Sequence, residues 1–374
     1  MSDVMPLPSD SSLSPRRAGA AGEGAYHRGL HVVAILTAIA TFPLIFMGGL
    51  VTSHGAGMSV PDWPNSYGYN MFTFPPNQWI GGIFYEHTHR LAGTVVGMLA
   101  IALVIWAWYR EKRRWVRWLA LSVLLAVIVQ GVLGGLRVIW VNLDLAIVHA
   151  CIAQAFFCLT GLMVAATSRW WHEQPVVDTP GEGGRVLLRL AGIVTLLIYL
   201  QLIAGAVMRH YQAGLAIPDL PWAYGQYLPP TTAEGLQAVN QWRAWHPELR
   251  LEPVTLAQVW IHFTHRIGAV LVSLGVIVLA IHVAWRHADR ALIVRPTWLL
   301  TLLLFGQLVL GVLTVLWQKP ADITSYHVAV GALALLVTFT IGVRAARLYG
   351  VGNVRGAAVQ PVSPLSSTQS PLMA

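Results

Sequence analysis

The sequence predicts an all-α integral membrane protein, with eight transmembrane helices arranged as two tandem pseudo-symmetric four-helix bundles. Three observations carry that expectation. Of 374 residues, 56% are hydrophobic and only 11% charged, with 16 Trp, a balance too apolar for a soluble domain of this size. Eight apolar runs are long enough to cross a bilayer as helices. The chain also repeats itself: "GAGMSVPDWPNSYG" (55–68) returns as "YQAGLAIPDLPWAYG" (211–225), "EHTHRLAG" (86–93) as "HFTHRIGA" (262–269), and "QGVLGGLRVIWVNLDLAIVHA" (130–150) as "QLVLGVLTVLWQKPADITSYHVA" (307–329).

Taken in order, residues 1–28 are polar, contain Pro, Ser and Gly, and lack the apolar core of a signal peptide, so a disordered tail is expected. The N-terminal bundle, 29–167, has spans at 29–51, 84–109, 118–138 and 145–167. A linker at 168–189 leads to the C-terminal bundle, 190–345, with spans at 190–210, 256–285, 297–316 and 323–345; a second disordered tail, 346–374, follows. The loops 52–83 and 211–255, rich in Pro and aromatic residues, are long enough to fold over the bundle ends. Within them, turn chemistry is the main role expected for "PDWP" (61–64) and "PDLP" (218–221).

The formal charge of +8 suggests an acidic partner, but its placement argues against nucleic acid. Most Lys and Arg fall in the tails and in alternate connections, for example Arg110, Lys112, Arg113, Arg114 and Arg117. By the positive-inside rule both termini are cytoplasmic and the long loops lie outside. Cys151 and Cys158 fall in one span, cannot bridge each other, and read as buried thiols.

Among 14 His, four are paired by the duplication: His89 with His265, and His149 with His327. Each lies near the outer end of an even-numbered span. Facing imidazoles on helices of one bundle suit the two axial positions of a heme iron. Zinc wants three or four ligands, and neither half offers a matching Cys or carboxylate cluster. Helix phase places Glu86 on the His89 face, about one turn nearer the surface, and turns His87 toward another helix, headgroups or the loop. Glu86 has an ordinary role available as the i, i+4 partner of Arg90. The second copy keeps the arginine as Arg266 but puts His262 where Glu86 stands, so an acid/base role for Glu86 at one site is expected. Arg90, Arg266, Arg137 and Arg209 are candidates for pairing with heme propionates, or for interfacial snorkelling.

Eight spans in two halves, "EHTHR" at the start of span two, its "HFTHR" echo in span six and partner histidines at the starts of spans four and eight resemble the heme A synthase family, over about residues 29–345. The resemblance implies oxidation of the C8 methyl of heme O to the formyl group of heme A, with water as oxygen source, for use in terminal oxidases. His89 and His149 would hold the substrate heme O, His265 and His327 a heme B that passes electrons, and Glu86 would be the acid/base residue. Implied partners are heme O, membrane lipid, heme O synthase and oxidase assembly factors, with a homo-oligomer left open. The implied location is the bacterial inner membrane; the absence of an Arg-rich amphipathic transit peptide points away from mitochondria. One departure stands out: some members carry a cysteine pair in the outer loops, and loops 52–83 and 211–255 contain no cysteine. Two other functions remain open: a di-heme b-type electron carrier, and a heme-delivery or assembly protein without chemistry.

Overall fold

The computed structural model describes residues 26–173 and 182–349. The expected tails therefore lie largely outside the described residues. Ten α-helices occur among the described residues, in the order α1 (Arg28–Ser53), α2 (Gly82–Arg110), α3 (Arg114–Ile139), α4 (Leu143–Thr167), α5 (Arg169–Glu173), α6 (Glu182–His210), α7 (Ala233–Ala244), α8 (Leu256–Arg286), α9 (Ala291–Leu316) and α10 (Ala321–Leu348). Eight of these, all but α5 and α7, are long and apolar enough to span a membrane.

Each of the eight covers an expected span, and the largest differences lie at N-termini. Helices α3, α6 and α9 begin several residues earlier than their apolar runs, taking in Arg114, Arg117, Arg185, Arg189 and Arg295. Helix geometry continues past the apolar window because long arginine side chains reach the headgroup region from a helical backbone. For the same reason, residues 182–189 of the expected linker already belong to α6. Local signals fix other starts. Asn142 caps α4 by accepting from the Leu145 N–H at 2.9 Å, and Thr255 with Gln258 forms a capping box on α8.

Packing follows the order of the chain. Within the first half α1 neighbours α2 and α4, and α3 neighbours α2 and α4; within the second, α6 neighbours α8 and α10, and α9 neighbours α8 and α10. Helices α1, α4, α6 and α10 also meet between the halves. Half of the most apolar window of α10 is buried, against 6% for α9, so α10 is central and α9 peripheral. In each half, the histidine-bearing helices thus stand diagonally across a ring of four, α2 opposite α4 and α8 opposite α10.

The loops are held by the repeated Pro-Asp motif. Asp62 accepts from the N–H groups of Tyr67 and Gly68, both at 2.7 Å; Asp219 does the same for Tyr224 and Gly225, both at 2.8 Å. Each Tyr-Gly pair has positive φ, a left-handed turn the carboxylate stabilises. Tyr224 OH donates to the Ala216 carbonyl at 2.7 Å, and Tyr67 OH makes the matching bond to Ser59. The expected turn chemistry is what these residues do. Burial works against ionisation of Asp62, yet the Gly68 and Tyr67 N–H groups hold its carboxyl below the usual range.

Candidate functional site

The four paired histidines share one local frame. Each imidazole lies against a glycine of a neighbouring helix: His89 on Gly48 of α1, His149 on Gly134 of α3, His265 on Gly205 of α6 and His327 on Gly311 of α9. A Cβ at these glycines would stand 3.2, 3.3, 3.2 and 3.2 Å, respectively, from the imidazole Cε1. A Cβ at that distance would crowd the ring, so glycine lets each imidazole seat close against the neighbouring backbone.

The seating orients the rings. Nδ1 of His89, His149 and His327 is buried and has no hydrogen-bond partner among the described residues, although the carbonyls of Leu44, Gln130 and Gln307 lie beside it. His265 Nδ1 meets the Gln201 amide nitrogen at 3.1 Å. With Nδ1 turned to a helix, Nε2 is the nitrogen left for a ligand. The His265 and His327 ring centres are 6.5 Å apart. Two imidazoles sharing one metal through bonds of about 2 Å have ring centres about 6 Å apart, which suits axial ligation of a heme iron. His89 and His149 lie within electrostatic reach of each other. Among the described residues there is no group of three or more His, Cys, Asp or Glu able to hold a metal ion, so the donor sets here are pairs. The residues present fit a bis-imidazole heme.

Glu86 is 3% exposed and doubly bound: Oε1 accepts from Arg90 Nη2 at 2.8 Å and Oε2 from the Val60 N–H at 2.9 Å. The second half keeps the same two neighbours without a carboxylate. His262 Nδ1 lies 3.2 Å from the Ile217 N–H and its Nε2 3.2 Å from Arg266 Nε; a neutral imidazole has one acceptor nitrogen, so it accepts from one of the two where Glu86 accepts from both. The replacement that reads in sequence as the loss of a group is therefore, in three dimensions, a change of acceptor. What differs is chemistry: residue 86 carries a carboxyl group with two acceptor oxygens, and residue 262 an imidazole.

The arginines divide into two sets. Arg90 donates to the carbonyls of Val60, Asp62 and Asn65, and Arg266 to those of Ile217 and Trp222. These bonds clamp the loops, a role beside the propionate pairing or snorkelling expected of both residues. Arg137, by contrast, lies within electrostatic range of His89 and His149 and makes one bond, at 3.2 Å, to the Gly57 carbonyl. Arg209 lies near His327 and bonds the Gly49 carbonyl and Ser53 Oγ of α1. Arg90 and Arg266 are also within range of His89 and His265, so each half has two arginines near its histidine pair.

His87 faces the loop, one of its three expected surroundings. It is fully buried, 3.1 Å from Ser66 Oγ through Nδ1, and packs against Phe74 and Trp79. Cys158 packs in the core of the second half and Cys151 is half-buried; both are free thiols. Sequence reasoning missed Gln130, Gln201 and Gln307, whose amides donate to the carbonyls of His149, His265 and His327 at 3.0, 2.8 and 2.9 Å. A signal was present: Gln-x3-Gly occurs at 130–134, 201–205 and 307–311, and each glycine seats a histidine.

Comparison with known proteins bears on this arrangement. Residues 31–339 match the COX15-CtaA family, described as cytochrome oxidase assembly protein. The heme A synthase of Shouchella clausii is 28% identical over 324 residues, covering 84% of this chain and 95% of that protein. The heme A synthase of Geobacillus kaustophilus is 25% identical over 343 residues, covering 88% and 98%, and that of Alkalihalophilus pseudofirmus 24% over 317, covering 84% and 95%.

Proposed function

The chain belongs to the COX15-CtaA family of cytochrome oxidase assembly proteins, and on that premise we propose that it is a heme A synthase. The observation that carries this function is a histidine pair repeated in each half, with a carboxylate, Glu86, beside one pair only. His89 and His149 of the N-terminal bundle bind the substrate heme O. His265 and His327 of the C-terminal bundle bind a heme B, which supplies a redox centre for carrying electrons away. Arg90 and Arg266 serve the sites by clamping the loops above them, and Arg137 is the residue placed to meet a propionate of the substrate.

The reaction converts the C8 methyl and one water into a formyl group, four protons and four electrons, in two steps. Glu86 is placed at the His89 face to accept a proton from the attacking water, and Arg90 balances its charge before that transfer. The protein works in the bacterial inner membrane with both termini cytoplasmic, so the loops and the histidine pairs lie toward the outer surface, where water is available. Heme O synthase and oxidase assembly factors are the expected neighbours in the membrane.

A second reading has one observation in its favour. Because His262 sits between the same loop N–H and arginine as Glu86, the glutamate's place is also that of a loop anchor, as a di-heme electron carrier would need. Expression with a heme O source in a host lacking heme A separates the two. Heme extracts containing heme A support the synthase, and a folded, heme-loaded protein that leaves heme O unconverted supports the carrier. In the same assay Glu86→Ala is expected to keep both heme spectra and lose conversion.

A further inference from the structure

The four histidine frames are alike except for one missing part. Gln130, Gln201 and Gln307 each lie four residues before the glycine that seats a histidine, and each donates its amide to that histidine's own carbonyl. This clasp ties the ligand's helical turn to the neighbouring helix. Four residues before Gly48 stands Leu44, whose side chain has no donor. Pro43, immediately before it, takes one N–H out of α1, whereas α3 and α6 contain no proline and Pro296 of α9 is more than two turns from Gln307. Among the described residues no side chain donates to the His89 carbonyl. The stretch of α1 beside His89 therefore lacks the clasp, and the turn before it lacks one backbone hydrogen bond, from residue 43 to the Ile39 carbonyl.

We propose that Leu44 is a positioning residue that makes His89 the releasing ligand, so that the first-half site exchanges heme while the fully clasped second-half site retains it. This rests on the ligand assignments proposed above. A substrate site must let its heme go at each turnover, and a cofactor site must not. Rupture of one net hydrogen bond changes an equilibrium or a release rate by about fivefold. His149 keeps its clasp from Gln130, so it can hold its side of the heme while His89 opens.

The test is heme transfer from the purified full-length protein to an excess of an apo-globin, followed by absorbance. Wild-type protein should show a fast and a slow phase. Leu44→Gln should slow the fast phase about fivefold and leave the slow phase unchanged. Gln201→Leu should speed the slow phase by a similar factor. A Leu44→Gln protein that is heme-loaded and releases at the wild-type rate would overturn the proposal. So would a Gln201→Leu protein with an unchanged slow phase, a readout that stands if Leu44→Gln fails to fold. Heme content of His89→Ala and His265→Ala is measured alongside. If neither loses a heme, the ligand assignments fail; if each loses one and the release rates do not move, the clasp alone fails.

Discussion

The two halves of the molecule share one scaffold, and the differences between them are few enough to name. Both seat two imidazoles on glycines, clamp an outer loop through an arginine and tie a Tyr-Gly turn with an aspartate. They part at Glu86 against His262, at Leu44 against Gln201, and in the loops themselves. The second loop carries α7 and a core of its own around Ile217, Val239 and Val259. It is locked by Arg243, which is 4% exposed and donates to the carbonyls of Glu252 and Leu215 and to Tyr224 OH. The first loop has only a short 3-10 turn, Pro76–Gln78, in the corresponding region. The clasp and the loop core give the second half more hold, while the first half keeps the Glu86–Arg90 ion pair.

The largest expected effect falls on the half that holds harder. His265→Ala or His327→Ala should abolish the bis-imidazole spectrum of one heme while the other remains, measured in reduced-minus-oxidised spectra; retention of both signals would break the pairing. Next comes the loop lock. Arg243→Ala strips several hydrogen bonds from a buried site and should destabilise the second loop by about 2–3 kcal/mol, read as faster amide exchange over 211–255 with no change over 54–81. Asp62→Ala should cost about 1–2 kcal/mol in the first loop alone, by the same measurement.

The smallest effect is a pH dependence. Asp62 titrates below its unfolded value of about 4. A carboxyl depressed in the folded state contributes its full stabilisation above the unfolded pKa and loses it as pH falls through the folded pKa. Exchange in the first loop should therefore be insensitive to pH around neutrality, after correction for intrinsic exchange, and rise below about pH 4. Asp62→Asn should remove that rise.

Much of this was legible in the sequence because apolar length and repetition are strong signals. The eight spans, the paired histidines and the turn aspartates each appear twice or more in a fixed order. Helix phase turned His87 out of the His89 face, and it lies against Ser66, Phe74 and Trp79 of the loop. The rest depended on contacts between segments distant in sequence. Arg90 looked available to a propionate because nothing local showed that three loop carbonyls, from Val60, Asp62 and Asn65, receive its donors. The glutamine clasps were overlooked because a Gln within an apolar helix shows its partner only when the neighbouring helix is in place. Glu86 against His262 was visible as a substitution, while its meaning as a change of acceptor needed the Val60 and Ile217 N–H groups.

The central claim is that Glu86 acts on the substrate and does more than anchor its loop. The second half supplies the discriminating variant, since a histidine at this position already sits between the loop N–H and the arginine. The measurement is chromatographic separation of hemes extracted from cells expressing Glu86→His with a heme O source, beside wild type and Glu86→Gln. The account predicts heme A from wild type, and unconverted heme O from both variants with their bis-imidazole spectra intact. Heme A from both variants at the wild-type level would contradict it and leave Glu86 a loop anchor.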